Sequence, residues 1–183
     1  MKKRIIACST AAIISLAATL WPQTLRTSPE AQQKMAKYED CRKTPYYCPA
    51  GVLTVGIGST SKVENREHSS NEIAERWVND LMRAEKCTNR EFNGGAAPQK
   101  VFESMTDANF NVGCTGLGWY TNAKRQKVRT TLWRHAQAGN WKGVCERLTD
   151  FVNSAGKRSQ GLVNRREDFQ AWCLSDPALK GAK

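Results

Sequence analysis

Glu39, Cys48 and Thr54 are separated by eight and then five residues, and Thr54 opens the run Thr54-Val55-Gly56-Ile57-Gly58. A carboxyl kept protonated by partly apolar surroundings can give a proton to a leaving group. A thiol, with an ordinary pKa of about 8.5, must first lose its proton to act as a base or an anion. A hydroxyl can orient a water. Taken singly, Glu39 reads as a solvated carboxylate and Thr54 as an ordinary strand residue; the joint spacing is what favours a site. Cys48 also has a competing use as half of a disulfide with Cys41, seven residues back around a turn containing Pro45, which would occupy the same sulfur.

A helix end and a hairpin are needed to hold these residues. Ser28-Pro29 reads as an N-cap followed by Pro at the first helical position, opening a helix to about Asp40 with Ala31, Met35 and Tyr38 near one face and Glu39 at its end. Pro45, Pro49 and Gly51 break the chain, and residues 52–59, β-branched and punctuated by Gly, read as a short hairpin. Ser69 with Glu72 forms a capping box, after which Ile73, Trp77, Leu81 and Ala84 share a face of a long helix to about Cys87. Further helices are expected over residues 98–112, 128–138, 141–148 and 165–174. The outline is α+β: a small mixed lobe over 28–68, a linking helix over 69–90 and a helical lobe over 91–183.

The 183 residues, 40% hydrophobic and 25% charged, suffice for one domain or two small lobes and exclude fibrous and disordered chains. A mean hydropathy of −0.59 with one long apolar run excludes a polytopic membrane protein. Seven Cys point to an oxidising compartment, the odd number leaving one sulfur over. No two Cys stand two to four residues apart, and the two His, His68 and His135, are far from them in sequence, so neither a metal nor another cofactor is expected. The net charge of +11 suits an anionic partner. Its densest points, residues 124–129 and Arg165-Arg166, carry no zinc-finger, RNP-like or phosphate-loop motif, and nucleic acid is not expected as the partner. Of the six Trp, those at helical positions 77, 133 and 172 belong by default to packing; sugar stacking is the alternative use.

Lys2, Lys3 and Arg4 precede an uncharged stretch from Ile5 to Leu25. As a helix, it would cover roughly 26 to 30 Å, about a bilayer's hydrocarbon thickness, with the basic triplet cytoplasmic. A cleaved signal peptide has the same start, and Ser15-Leu16-Ala17 would pass as its cleavage site. Against cleavage, Trp21-Pro22 makes a poor mature start. The run's many Ala, Ser and Thr make it a marginal anchor, one that costs little to release.

The Glu39/Cys48/Thr54 spacing, the Val55-Gly56-Ile57-Gly58 that follows, Phe110-Asn111-Val112-Gly113 and Gly161-Leu162-Val163-Asn164-Arg165-Arg166-Glu167 resemble, in order, the phage-type lysozymes, glycoside hydrolase family 24. The resemblance covers most of residues 29–183. It implies the two-lobed lysozyme fold and hydrolysis of the β-1,4 bond between N-acetylmuramic acid and N-acetylglucosamine in peptidoglycan, by a monomer. Glu39 is then the acid, Thr54 positions water, and Cys48 stands where most of the family has Asp, so that it must ionise to carry that charge. Cys8, Cys41 and Cys48 further resemble the signal-arrest-release endolysins. In these a Cys41-Cys48 bond would cage the enzyme at the inner membrane, until Cys8 leaves the bilayer with its segment and frees Cys48 by exchange into the periplasm. For Cys87, Cys114, Cys145 and Cys173 three pairings are open; the family fold favours Cys145 with Cys173 and Cys87 with Cys114. The alternatives are a secreted lysozyme with a cleaved leader and no switch, and an inactive basic module binding envelope or nucleic acid.

Overall fold

The computed structural model describes residues 6–48, 51–154 and 156–180; the basic triplet Lys2-Lys3-Arg4, Ile5 and Pro49 lie outside them. The fold is α+β with a helical majority and small two-stranded sheets. It divides into two compact units, residues 1–82 and 83–183, the division falling inside one long helix.

In the first unit, residues 6–8 run extended and lead into α1 (Thr10–Leu20), whose first turn is capped by Ser9 accepting from the Ala12 N–H. The expected continuous apolar helix is therefore shorter: α1 has 11 residues, and among the described residues no helix is long and apolar enough to cross a membrane. Ile13, Ile14 and Ala17 are buried, whereas Ala11, Ala12, Ser15, Ala18 and Thr19 face solvent. The small, weakly polar residues thus form a face that tolerates water. Each buried Ile contributes roughly 1.5–3 kcal/mol. α1 packs on α2 (Pro29–Ala36), capped by Ser28 accepting from the Ala31 N–H. α2 ends at Ala36, earlier than its sequence suggests, and Tyr38 and Glu39 turn back with N–H bonds to Met35 and Ala36 carbonyls.

β1 (Arg42–Tyr47) pairs antiparallel with β2 (Leu53–Gly56). The hairpin thus begins ten residues before the expected 52–59 segment, with Pro45 inside its first strand. Pro45 is tolerated because the register is irregular between Arg42 and Tyr46, where a missing N–H costs no regular ladder bond. Residues 6–8 flank β1 on its other edge: Ala7 bridges Arg42, the Cys8 N–H donates to the Cys41 carbonyl at 3.0 Å and the Lys43 N–H to the Ile6 carbonyl at 2.7 Å. The capping box forms as read, Ser69 Oγ accepting from Glu72 N at 3.2 Å and Glu72 Oε2 from Ser69 N at 2.7 Å, and starts α3 (Ser70–Glu91).

The second unit packs a core of Phe92, Val101, Phe102, Met105, Leu117, Leu132, Val144 and Leu148. Its longest helix, α4 (Gln99–Gly118), breaks at Gly113, whose φ of +77° suits glycine. Two short hairpins go beyond what the sequence suggests: β3 (Trp119–Thr121) with β4 (Lys127–Arg129), and β5 (Asn153–Ser154) with β6 (Lys157–Arg158). The helix expected from residue 128 therefore starts later, as α5 (Thr131–Gln137), because Thr130 caps it by accepting from the Trp133 N–H. α6 (Trp141–Glu146) and α7 (Gln160–Leu174) complete the unit. Asp107 on α4 is wholly buried and accepts from Arg165 Nη2 at 2.7 Å and from Arg166, which also donates to Asn111 at 2.6 Å. The two late motifs singled out in the sequence thus meet through Arg166 and Asn111, beside the buried Asp107 ion cluster.

Candidate active site

Glu39, Cys48 and Thr54 line one open cleft of ≈ 620 Å³ in the first unit, together with Lys37, Tyr38, Asp40, Arg42, Tyr46, Tyr47, Gly58 and Thr60. Glu39, half-buried, is presented by the turn after α2. Its carboxylate lies against Gly58: a Cβ there would come within 3.1 Å of Glu39 Oε2, and Gly58 has a φ of +77°. Glycine is needed at this position on both counts. The Val55–Ser59 bridge, with reciprocal N–H bonds at 2.9 and 3.0 Å, holds the turn that carries Gly58.

Cys48 follows β1 and donates its N–H to the Val52 carbonyl at 3.0 Å, so its side chain is set by the hairpin. Its sulfur takes part in none of the three disulfides and keeps its thiol. Cys41 is bonded to Cys8, the pairing expected after exchange rather than the caged Cys41-Cys48 one, and the backbone pairing of residues 6–8 with β1 is what brings the two together. Thr54 is buried, and its hydroxyl donates to the Val52 carbonyl at 2.9 Å, which leaves its oxygen lone pairs as acceptors.

Asp40, Arg42 and Tyr46 are cleft residues that the sequence pattern missed, whereas Gly58 closes the motif that Thr54 opens. Tyr46 stands two residues before Cys48, a strand spacing concealed by reading Pro45 as a breaker; nothing in the sequence flags Arg42. Burial, opposed by the Arg42 cation and reinforced by the carboxylates of Asp40 and Glu39, pushes the Tyr46 phenol above its ordinary 10.

The remaining cysteines pair Cys87 with Cys114 and Cys145 with Cys173. His68 is wholly buried with Nε2 3.0 Å from the Glu64 carbonyl, and His135 Nδ1 lies 3.0 Å from Asn140 Nδ2. Neither His lines the cleft. The basic run over 124–129 is part of a hairpin whose Arg129 stacks between Trp119 at 3.8 Å and Trp133 at 4.3 Å, so cations rather than sugars cover these ring faces. Trp77 is core, its Nε1 donating to Gln32 at 3.0 Å, and Trp172 lies under Lys100 at 4.3 Å.

The chain is similar to the SAR-endolysin of Escherichia phage P1, 37% identical over 170 residues that cover 92% of this chain and 91% of that one. It is 36% identical to the SAR-endolysin of Haemophilus phage HP1 (strain HP1c1) over 84% of both. Among solved structures, the active form of the P1 phage endolysin Lyz matches with a TM-score of 0.87 at 37% identity, over 93% of this chain and 96% of that one. The secreted inactive form of the same enzyme matches with a TM-score of 0.55 at 40% identity, over 70% and 82%. The family model for phage lysozyme matches residues 36–168, a span that begins just before Glu39 and closes just after Arg166, and by that match the chain belongs to the phage lysozymes, a family of glycoside hydrolases.

Proposed function

We propose that this chain is an endolysin that hydrolyses the β-1,4 bond between N-acetylmuramic acid and N-acetylglucosamine in peptidoglycan to lyse a host cell. Glu39 donates the proton to the leaving oxygen, Cys48 as thiolate faces the developing positive charge, and a water held by Thr54 attacks, losing its proton to the Cys48 thiolate; proton exchange with solvent then restores both groups. In this scheme the Thr54 hydroxyl, whose O–H donates to the Val52 carbonyl, offers only lone pairs to the cleft, which suits it to orient a water's O–H.

The enzyme is made latent. While the uncharged stretch from Ile5 to Leu25 spans the inner membrane as a helix, Cys8 is held in lipid and Cys41 is bonded to Cys48. After the segment leaves the bilayer, the Cys8 thiolate attacks the Cys41 sulfur, the Cys41–Cys48 bond breaks, and Cys48 departs as the thiolate. One thiolate and one disulfide stand on each side, so no oxidant is needed. The observation that carries this reading is the Cys8–Cys41 bond beside a Cys48 thiol in the cleft of Glu39 and Thr54. The greater likeness to the active than to the secreted inactive form of the P1 enzyme supports it. A cleaved leader would remove Cys8 and with it this bond. The water-tolerant face of α1 suits a segment that must exist in both lipid and solvent.

Cys8→Ser tests the switch. The variant should be exported yet stay latent in lysis assays, with Cys41–Cys48 found by mass spectrometry, until an added reductant frees Cys48. Lysis on the normal schedule without reductant sinks the exchange scheme.

A further inference from the structure

Within the cleft, Tyr46 occupies a place that catalysis by Glu39, Cys48 and Thr54 does not use. It is the register partner of Thr54 across the β1–β2 pair and stands two residues before Cys48, so its side chain leaves the strand on the same face as the Cys48 thiol. The Arg42 guanidinium lies 4.3 Å from its ring centroid and is itself held by the Asp40 carboxylate at 2.9 Å. Tyr47, next in the chain, is 74% exposed, whereas Tyr46 is half-buried under its cation. The strand, the guanidinium and the carboxylate thus fix one phenol at the cleft wall.

We propose that Tyr46 contacts the glycan, its phenol hydrogen-bonding an N-acetylated sugar, and that Asp40 and Arg42 are positioning residues which hold the ring for that contact. The inference rests on the muramidase reading and names a residue that sets substrate binding at the same site. The partner chemistry follows from what the cluster offers. Asp40 balances the charge of Arg42, so the pair adds no net charge to the cleft wall. One ring face is already covered by Arg42, and the hydroxyl is the polar group the ring can offer the ligand. Burial and the neighbouring carboxylates keep the phenol protonated well past neutral pH, and it remains an O–H donor. A neutral polymer face of hydroxyl and acetamide groups matches such a donor; a carboxylate or phosphate would demand the cation that Asp40 already engages.

The test measures KM and kcat on purified peptidoglycan, and glycan affinity in a Glu39→Gln background using oligomers of alternating N-acetylmuramic acid and N-acetylglucosamine. Tyr46→Phe keeps the ring and its stacking and removes only the hydroxyl. KM and the oligomer Kd should both rise about three- to tenfold, as for one neutral hydrogen bond, with kcat changed less than about twofold and Tm unchanged. Arg42→Met should raise KM likewise, and Arg42→Lys should raise it less, because an ammonium can still pair with Asp40 and sit over the ring. Wild-type KM and Kd in Tyr46→Phe, or a fall in Tm in the Arg42 variants with KM unmoved, overturns the inference and leaves the muramidase reading standing. A wild-type chain that binds the oligomers without cleaving wall overturns the muramidase reading, and the Kd comparison then decides Tyr46 alone. Absence of glycan binding overturns both.

Discussion

Cysteine is placed in two different settings in the two halves of this molecule. In residues 83–183, Cys145 and Cys173 are wholly buried, so their bond is shielded from an attacking thiolate, whereas Cys87 is buried in the apolar core and its partner Cys114 only partly so. In residues 1–82, Cys8 and Cys48 are half-buried at the surface and the cleft, around a nearly buried Cys41. Exchange needs access to a sulfur as well as a thiolate to attack it. Burial therefore sets the sealed Cys145–Cys173 bond apart from the more accessible Cys8–Cys41 bond, although both are chemically the same. The charged groups repeat the contrast. Asp107 with Arg165 and Arg166 is sealed inside the second unit, whereas Asp40 with Arg42 sits half in water beside the cleft. A sealed pair holds a fold, and an accessible pair can serve a ligand.

The contrast breaks most sharply at Glu39. Glu39→Gln should lower the rate of reducing-end release from peptidoglycan by about 10²–10⁴-fold with an unchanged Tm, since it removes a proton donor and preserves shape. Near-wild-type turnover rejects the acid assignment. Asp107→Ala should do the reverse, costing about 3–5 kcal/mol in urea unfolding because it leaves two guanidinium groups buried without their carboxylate. A loss below about 1 kcal/mol would mean that the cluster is not structural.

Gly58→Ala lies between these extremes: a Cβ 3.1 Å from Glu39 Oε2 on a backbone at φ +77° should cost about 1–2 kcal/mol and lower activity about tenfold. The cysteine comparison itself is sharpened by alkylation under mild reductant without denaturant. Cys8 and Cys41 should label before Cys145 and Cys173, which should resist until the chain unfolds; equal labelling rates erase the distinction. Smallest is the acid limb of stability. Hydrogen bonds from Arg66 and the Ser69 N–H hold Glu72 at about 2, below its ordinary 4.5. A lowered folded-state pKa gives a contribution complete above pH 4.5 and lost as pH falls from there toward about 2. Glu72→Gln should flatten the Tm profile in that window only slightly, the pair being exposed.

Residue order predicted structure best where the cause was local. The Ser69–Glu72 box and the Ser28 cap are short-range hydrogen bonds, written in four consecutive residues each, and both form. It misled where a distant partner decided the outcome. Pro45 looks like a breaker until β2 offers an irregular register that spares its missing N–H. Residues 127–129 look helical until they pair with 119–121, although the cap at Thr130 is a local signal that marks the true helix start. α2 stops at Ala36 because the chain must turn to carry Glu39 into the cleft and Cys41 to the hairpin.

By itself, then, the sequence determined which side chains could do chemistry: a carboxyl, a thiol and a hydroxyl at fixed spacing, and an uncharged run of small residues bearing one more thiol. These follow from residue type and separation, which need no coordinates. Tertiary structure decided which sulfur Cys41 holds, that Gly58 leaves room for the Glu39 carboxylate, and that Asp40, Arg42 and Tyr46 share the cleft. The physical reason is that disulfide exchange, close packing and ring stacking act over a few ångströms between residues far apart in the chain, and only the fold sets those distances.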